Sequence, residues 1–302
     1  MSKRAFIFPG QGSQYVGMAK DFYDKDSDSK KIIDFADEIL GFKLSETMFF
    51  GPEDNLKETS ITQPAIFLHS IVALQKLNLN FDLVAGHSLG EYSALVAADA
   101  IDFEEALRLV RKRGEAMYQA GIEKPGTMAA IIGLDVEKIN DCCAEASMEG
   151  IVQCANLNSP GQVVISGTVE GVKKAMFLCK EAGAKLTKEL IVSGAFHSPL
   201  MESAEKKLQI TLETVEIRDA QKPVYTNVTA SPTINSIEIK NFLIDQLTFP
   251  VRWEEIISNM IDDGAEEFIE IGPGKVLQSL VKRINPDVKI TGIDKYEDLE
   301  RL

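Results

Sequence analysis

Apolar positions along the chain fall into short runs whose period changes from one segment to the next. Residues 4–8 read as a buried strand that runs into Pro9-Gly10-Gln11-Gly12-Ser13-Gln14, a turn with the glycine content that unusual backbone angles require. Helical spacing then dominates up to Leu79. Residues 81–86 predict a second strand, and residues 89–98, rich in Ala, Leu and Tyr, predict a helix directly after it. Asp102 and Glu105 form an Asp-x-x-Glu start signal for a further helix reaching about Ala120.

The rhythm changes at Thr127. A strand at 128–134, a helix at 136–147, strands at 151–157 and 163–166, a helix at 169–182 and a strand at 185–192 give the β-α-β-β-α-β order of a ferredoxin-like unit. Alternation of strands and helices resumes after His197 and ends with strands at 267–271 and 290–293. The expected class is therefore α/β. A large α/β-hydrolase-like domain with a parallel-sheet core, built from residues 1–125 and 194–302, carries a small ferredoxin-like α+β domain inserted at 126–193.

Composition narrows what such a fold does. With 302 residues, 45% of them hydrophobic, the chain is long enough to bury a large core. A formal net charge of -14 argues against sequence-independent binding to nucleic acid or to an anionic membrane. Cys142, Cys143, Cys154 and Cys179 have neither zinc-site spacing nor disulfide-rich density, so no metal is expected and the thiols read as reduced and buried. No secretory segment is visible and no apolar run approaches the ~20 residues of a membrane span, so a cytoplasmic protein is expected.

Gly86-His87-Ser88-Leu89-Gly90 fits the G-x-S-x-G elbow, in which flanking glycines let a strand turn sharply into a helix and present the serine at the apex. The free N–H groups and positive dipole end of that helix would face an oxyanion formed there. A serine hydroxyl needs a base, and three histidines are available. His87 adjoins the nucleophile and points elsewhere, while His69 lies in a helical run beside Leu68 and Val72. His197 follows a strand, in the loop Ser193-Gly194-Ala195-Phe196-His197-Ser198-Pro199, and is the best candidate. No acid stands out as a third triad member. On the helix after Asp102, Arg113 interrupts an apolar stripe of Ala106, Leu109, Val110 and Met117. An inward arginine needs an anion, which is either a buried Asp or Glu or the carboxylate of a substrate.

With these residues in hand, the chain resembles the malonyl-CoA:acyl-carrier-protein transacylases, the family that includes the acyltransferase domains of fatty-acid and polyketide synthases. Seven blocks carry the resemblance over nearly the whole length. They are Phe8-Pro9-Gly10-Gln11-Gly12-Ser13-Gln14, Thr62-Gln63-Pro64-Ala65, Gly86-His87-Ser88-Leu89-Gly90-Glu91-Tyr92, Arg113-Gly114-x-x-Met117, Asn156-x-Asn158-Ser159-Pro160-Gly161-Gln162, Ala195-Phe196-His197-Ser198-Pro199-Leu200-Met201 and Glu270-Ile271-Gly272-Pro273-Gly274.

The resemblance implies that Ser88 takes a malonyl group from coenzyme A and hands it to the phosphopantetheine thiol of holo acyl carrier protein, in type II fatty-acid synthesis. His197 would be base and then acid, the backbone amides of Gln11 and Leu89 the oxyanion hole, and the backbone carbonyl of Gln246 the group that orients His197. Arg113 would clamp the malonyl carboxylate, with Gln63, Met117, Asn156, Asn158 and His87 along the substrate path. Coenzyme A thioester is a substrate, so no cofactor is implied; a monomer is expected. An acidic carrier would need a local basic surface on this acidic chain, for which Lys185, Lys188, Lys275, Lys282 and Arg283 are the candidates. The competing readings are a serine thioesterase or hydrolase, a transferase for another acyl unit, and a non-catalytic carrier-binding scaffold.

Overall fold

The computed structural model describes residues 3–301. The chain opens with β1 (Lys3–Phe8), then α1 (Lys20–Lys25), α2 (Ser27–Leu40), α3 (Leu44–Phe50), α4 (Glu53–Lys57) and α5 (Thr59–Leu74). Next come β2 (Leu83–Gly86), α6 (Gly90–Ala97) and α7 (Phe103–Glu123). The middle segment is β3 (Thr127–Ile132), α8 (Val136–Ala146), β4 (Val152–Ser159), β5 (Gln162–Gly167), α9 (Val169–Glu181) and β6 (Leu186–Glu189). The chain closes with α10 (Glu202–Glu213), β7 (Val224–Tyr225), β8 (Pro232–Thr233), α11 (Ser236–Asp245), α12 (Trp253–Asp262), β9 (Ala265–Ile271), α13 (Val276–Ile284) and β10 (Lys289–Ile293).

Two sheets result. The larger has the order β10-β9-β1-β2-β7-β8 and is parallel except for the β7–β8 pair. Period-2 alternation in β1 sends Phe6 and Phe8 into the core on one face and Ala5 and Ile7 into the core on the other, which is why the strand is apolar at every one of these positions. The smaller sheet, β4-β5-β3-β6, is antiparallel and draws all its strands from the middle segment. Ala129 and Ile131 of β3 join α8 and α9 in a separate core, whereas Met128 belongs to the main cluster. The inner face of the small sheet thus turns toward the large one. The two are tied at Val251, whose carbonyl accepts from Leu157 N–H and whose own N–H donates to the carbonyl of Ala155.

Several elements differ from the sequence pattern for physical reasons. The last strand of the small sheet ends at Glu189 instead of reaching residue 192: Leu190 N–H makes one more bond, to the Met128 carbonyl at 2.9 Å, and Leu190 and Val192 line the cleft. Phe81 precedes β2 and stacks on Phe6 at 4.5 Å. Asp102 starts α7 through its carbonyl, which accepts from Ala106, but its carboxylate bonds Arg218 (2.8 Å) in place of the helix amides. No helix among the described residues is long and apolar enough to cross a membrane.

Candidate active site

The turn between β2 and α6 places Ser88 at its apex with φ of 50°. That left-handed angle is strained for a serine and persists only if its surroundings fix it. Backbone crowding explains the glycines: a Cβ on Gly86 would lie 1.8 Å from the carbonyl carbon of Gly90, and one on Gly90 would lie 2.1 Å from the carbonyl oxygen of Phe8. The fully buried Asn227 clamps the turn from outside. Its Oδ1 accepts from Ser88 N–H at 2.6 Å, and its Nδ2 donates to the carbonyl of Gly86 at 2.6 Å.

His197 Nε2 lies 2.9 Å from Ser88 Oγ, and His197 Nδ1 lies 2.7 Å from the carbonyl oxygen of Gln246. A carbonyl only accepts, so Nδ1 carries the proton and the Nε2 lone pair faces the serine. The partner of Nδ1 is thus a backbone carbonyl and not a carboxylate side chain. The His197 backbone, at φ of 55°, is held by Gln153, whose Nε2 donates to the carbonyls of His197 (2.9 Å) and Thr248 (3.0 Å). Burial, then the nearby Arg113 charge, lowers the His197 pKa to about 3, so the free imidazole is neutral.

Arg113 reaches the same point from α7. Gly114 makes this possible: a Cβ there would lie 2.9 Å from the carbonyl oxygen of Thr59, so only glycine lets α7 approach α5 this closely. Arg111, off the apolar stripe, donates to the Ser60 carbonyl at 2.5 Å, the acceptor that Pro64 leaves without its helical partner. The Arg113 guanidinium, 1% exposed, donates from Nη1 to Gln63 Oε1 (2.7 Å) and from Nη2 to Gln246 Oε1 (2.8 Å) and Ser88 Oγ (3.1 Å). Its charge lies 5.5 Å from the Tyr92 ring centre. Among the described residues no carboxylate forms an ion pair with Arg113. Burial lowers its pKa, the mark of a cation held in a dry place. Of the two partners open at the sequence level, a buried acid does come near: Glu91 acts on Arg113 through space and is joined to it by the Gln246 side chain, without a direct ion pair.

A cavity of about 230 Å³ spans the cleft between the sheets. Gln11, Gln63, Leu89, Met117, Asn156 and Asn158 all line it, as do His87, Ser88, Arg113 and His197. No acceptor among the described residues takes the amide N–H of Gln11 or Leu89. Gln63 Nε2 donates to Met117 Sδ at 3.2 Å, and His87 Nε2 turns from the serine to Asn158 Oδ1 at 2.8 Å. Gln246 lies behind the wall, touching both His197 and Arg113. His69 is outside the site, buried against the Asp294 carbonyl at 2.9 Å. Lys185, Lys188, Lys275, Lys282 and Arg283 are exposed, and Arg283 bonds Gln162 at the cavity rim. No cluster of metal-ligating side chains occurs among the described residues.

Sequence reasoning missed Asn227, Gln153 and Glu91. The first two are polar residues far along the chain from the elbow, with no local signal. Glu91 had one: it is an acid in the first turn of a helix that is otherwise wholly apolar or small at its start. Its carboxylate is 1% exposed and accepts from Asn227 N–H (3.0 Å) and Gln246 Nε2 (2.8 Å).

A strand–turn–helix elbow here holds a serine against an imidazole, in a cleft between a parallel and an antiparallel sheet, an arrangement suited to acyl transfer. The family model of the acyl transferase domain matches residues 5–290, and the chain belongs to that family. It is 48% identical over 304 residues to the malonyl CoA-acyl carrier protein transacylase of Bacillus subtilis (strain 168), covering 99% of this chain and 96% of that protein. Its fold is similar to the crystal structure of an acyl carrier protein S-malonyltransferase from Vibrio cholerae, with a TM-score of 0.95, 43% identity and 99% of each chain covered. It is also similar to a malonyl-transacylase solved in complex with its type II PKS acyl-carrier protein, with a TM-score of 0.95, 41% identity and coverage of 99% of this chain and 98% of that one.

Proposed function

We propose that the chain is an [acyl-carrier-protein] S-malonyltransferase, moving malonyl from malonyl-CoA to the phosphopantetheine thiol of holo acyl carrier protein in type II fatty-acid synthesis. One observation carries the choice of acyl group: a buried cation with no ion-pair partner stands 3.1 Å from the nucleophile. A planar carboxylate suits its bidentate fork, and an uncharged acyl group would leave it uncompensated.

In the first half-reaction, Ser88 Oγ attacks the thioester carbonyl while His197 Nε2 takes its proton. The oxyanion is stabilised by the amides of Gln11 and Leu89. Collapse breaks the C–S bond, and His197 returns the proton to the departing coenzyme A thiolate. In the second, His197 accepts the proton of the carrier thiol, the thiolate attacks the malonyl oxyester, and collapse expels Ser88 Oγ, which recovers the proton. Malonyl binding also tunes the base. Because Arg113 helps to depress His197, a bound carboxylate that offsets the Arg113 charge makes His197 more basic as the substrate arrives.

Four free, buried thiols suit the reducing cytoplasm, where we place the activity. The working unit we propose is a monomer, since serine, imidazole and guanidinium already meet within hydrogen-bond distance. The test is a stoichiometric assay with malonyl-CoA and holo carrier protein: malonyl-carrier should appear in step with free coenzyme A. Free malonate in excess of malonyl-carrier would mark a hydrolase instead.

A further inference from the structure

Among the described residues Arg113 hydrogen-bonds only neutral groups, and the arrangement that achieves this centres on one amide. Gln246 Oε1 accepts from Arg113 Nη2 at 2.8 Å. On its other side Gln246 Nε2 donates to Glu91 Oε2 at 2.8 Å and to the Ser88 carbonyl at 3.1 Å. While Glu91 is ionised, turning the amide over would set its oxygen against a carboxylate and a carbonyl and its NH₂ against a guanidinium, so all three contacts would become repulsive. Glu91 itself is fixed by the Asn227 amide at 3.0 Å. Both Gln246 and Glu91 are buried, so a wrong orientation would leave desolvated polar groups facing like partners.

We propose that the Gln246 side chain determines selectivity for a charged acyl group, and that Glu91 is the positioning residue that fixes which end of the Gln246 amide faces Arg113. The inference rests on the malonyl reading above. Its physical content is the placement of the anion. The carboxylate of Glu91 is one residue removed from Arg113, close enough to align the acceptor that aims the guanidinium but not in contact to neutralise it. The cation therefore remains open to a carboxylate from the substrate. Were the acid in the place of Gln246, Arg113 would already be paired and would gain little from a charged acyl group.

The experiment exchanges the two side chains. Glu91→Gln/Gln246→Glu keeps net charge and the backbone carbonyl to His197, and moves the anion into contact with Arg113. The readout is kcat/KM for acylation by malonyl-CoA divided by that for acetyl-CoA, in wild type, the exchange variant and Glu91→Gln. The exchange should lower that ratio about 100-fold, the scale of a close charge pair in a buried setting. Glu91→Gln alone should lower it about fivefold, mainly through KM for malonyl-CoA, and should add almost nothing in a Gln246→Met background, as expected for a residue acting through another. Equal losses for both acyl groups in Glu91→Gln, or a ratio preserved in the exchange variant, would overturn the proposal. If the exchange variant does not fold, Glu91→Gln and the Gln246→Met cycle decide alone. A wild type that does not take malonyl would instead overturn the functional reading on which this one rests.

Discussion

Arg113 Nη2 donates to Ser88 Oγ at 3.1 Å, so the buried cation and the serine at the apex of the elbow share one hydrogen bond. A single side chain thereby does three things. It is placed to stabilise negative charge developing on the serine oxygen, it opposes protonation of His197, and on the malonyl reading proposed above it is the group that takes the free carboxylate of the acyl chain.

Removing that cation should separate charged from uncharged substrates. Arg113→Ala is expected to lower kcat/KM for malonyl-CoA by about 100- to 1,000-fold, the loss of a buried charge-assisted contact, with a much smaller change for acetyl-CoA. Arg113→Lys should recover little, because one ammonium cannot serve Gln63, Gln246 and a carboxylate in a plane. Steady-state rates with both thioesters check this, and equal losses would make Arg113 structural.

The pH dependence follows from burial. His197 titrates at about 3 in the free protein, below its ordinary value, so kcat/KM for malonyl-CoA should show no acid limb near 6.5 from this residue. Burial raises both Glu91 and Glu270 to about 7, and Glu91 alone touches the Gln246 side chain, so the part of an inflection near there that Glu91 causes should vanish in Glu91→Gln. Stability has a definite sign as well. A depressed histidine contributes fully above its unfolded pKa of about 6.5 and loses that contribution as pH falls toward the folded value. Between pH 7 and 5 the wild type should lose about 2 kcal/mol relative to His197→Gln, measured by urea unfolding.

Asn227→Ala should affect both stability and rate. It leaves the Ser88 N–H and the Gly86 carbonyl without their acceptor and donor, at a cost of about 1–3 kcal/mol each. The strained serine then loses its clamp, so a lower Tm should accompany a fall in kcat that exceeds any change in KM. A variant with wild-type kcat would show that the elbow holds itself.

Gly90→Ala tests the packing of the elbow. The added methyl would meet the Phe8 carbonyl oxygen at 2.1 Å, and backbone cannot move aside as a flexible side chain can. A loss of about 3 kcal/mol or more, or failure to accumulate as folded protein, is expected on thermal denaturation.

How far the sequence reveals this site depends on the distance over which each signal acts. The elbow, the inward Arg113 and the loop holding His197 are local patterns, because glycine spacing, helical period and turn chemistry are written within a few residues. The two-residue β7 is too short to show a period, yet it extends the sheet beside β2. Asn227, just beyond it, is likewise invisible locally: its role exists only once the fold brings it to Ser88, 139 positions away. Gln153 joins the small sheet to the catalytic loop in the same long-range way. Asp102 shows the converse, a sound local signal redirected when Arg218 offered its carboxylate a charged partner.

The central claim is tested most directly by the intact mass of the protein after mixing with malonyl-CoA and then with holo carrier protein. The account predicts a gain of one malonyl group, located on Ser88 and absent in Ser88→Ala, followed by its complete removal to the carrier. A protein that gains no mass, or that keeps its label when the carrier thiol is supplied, would contradict it.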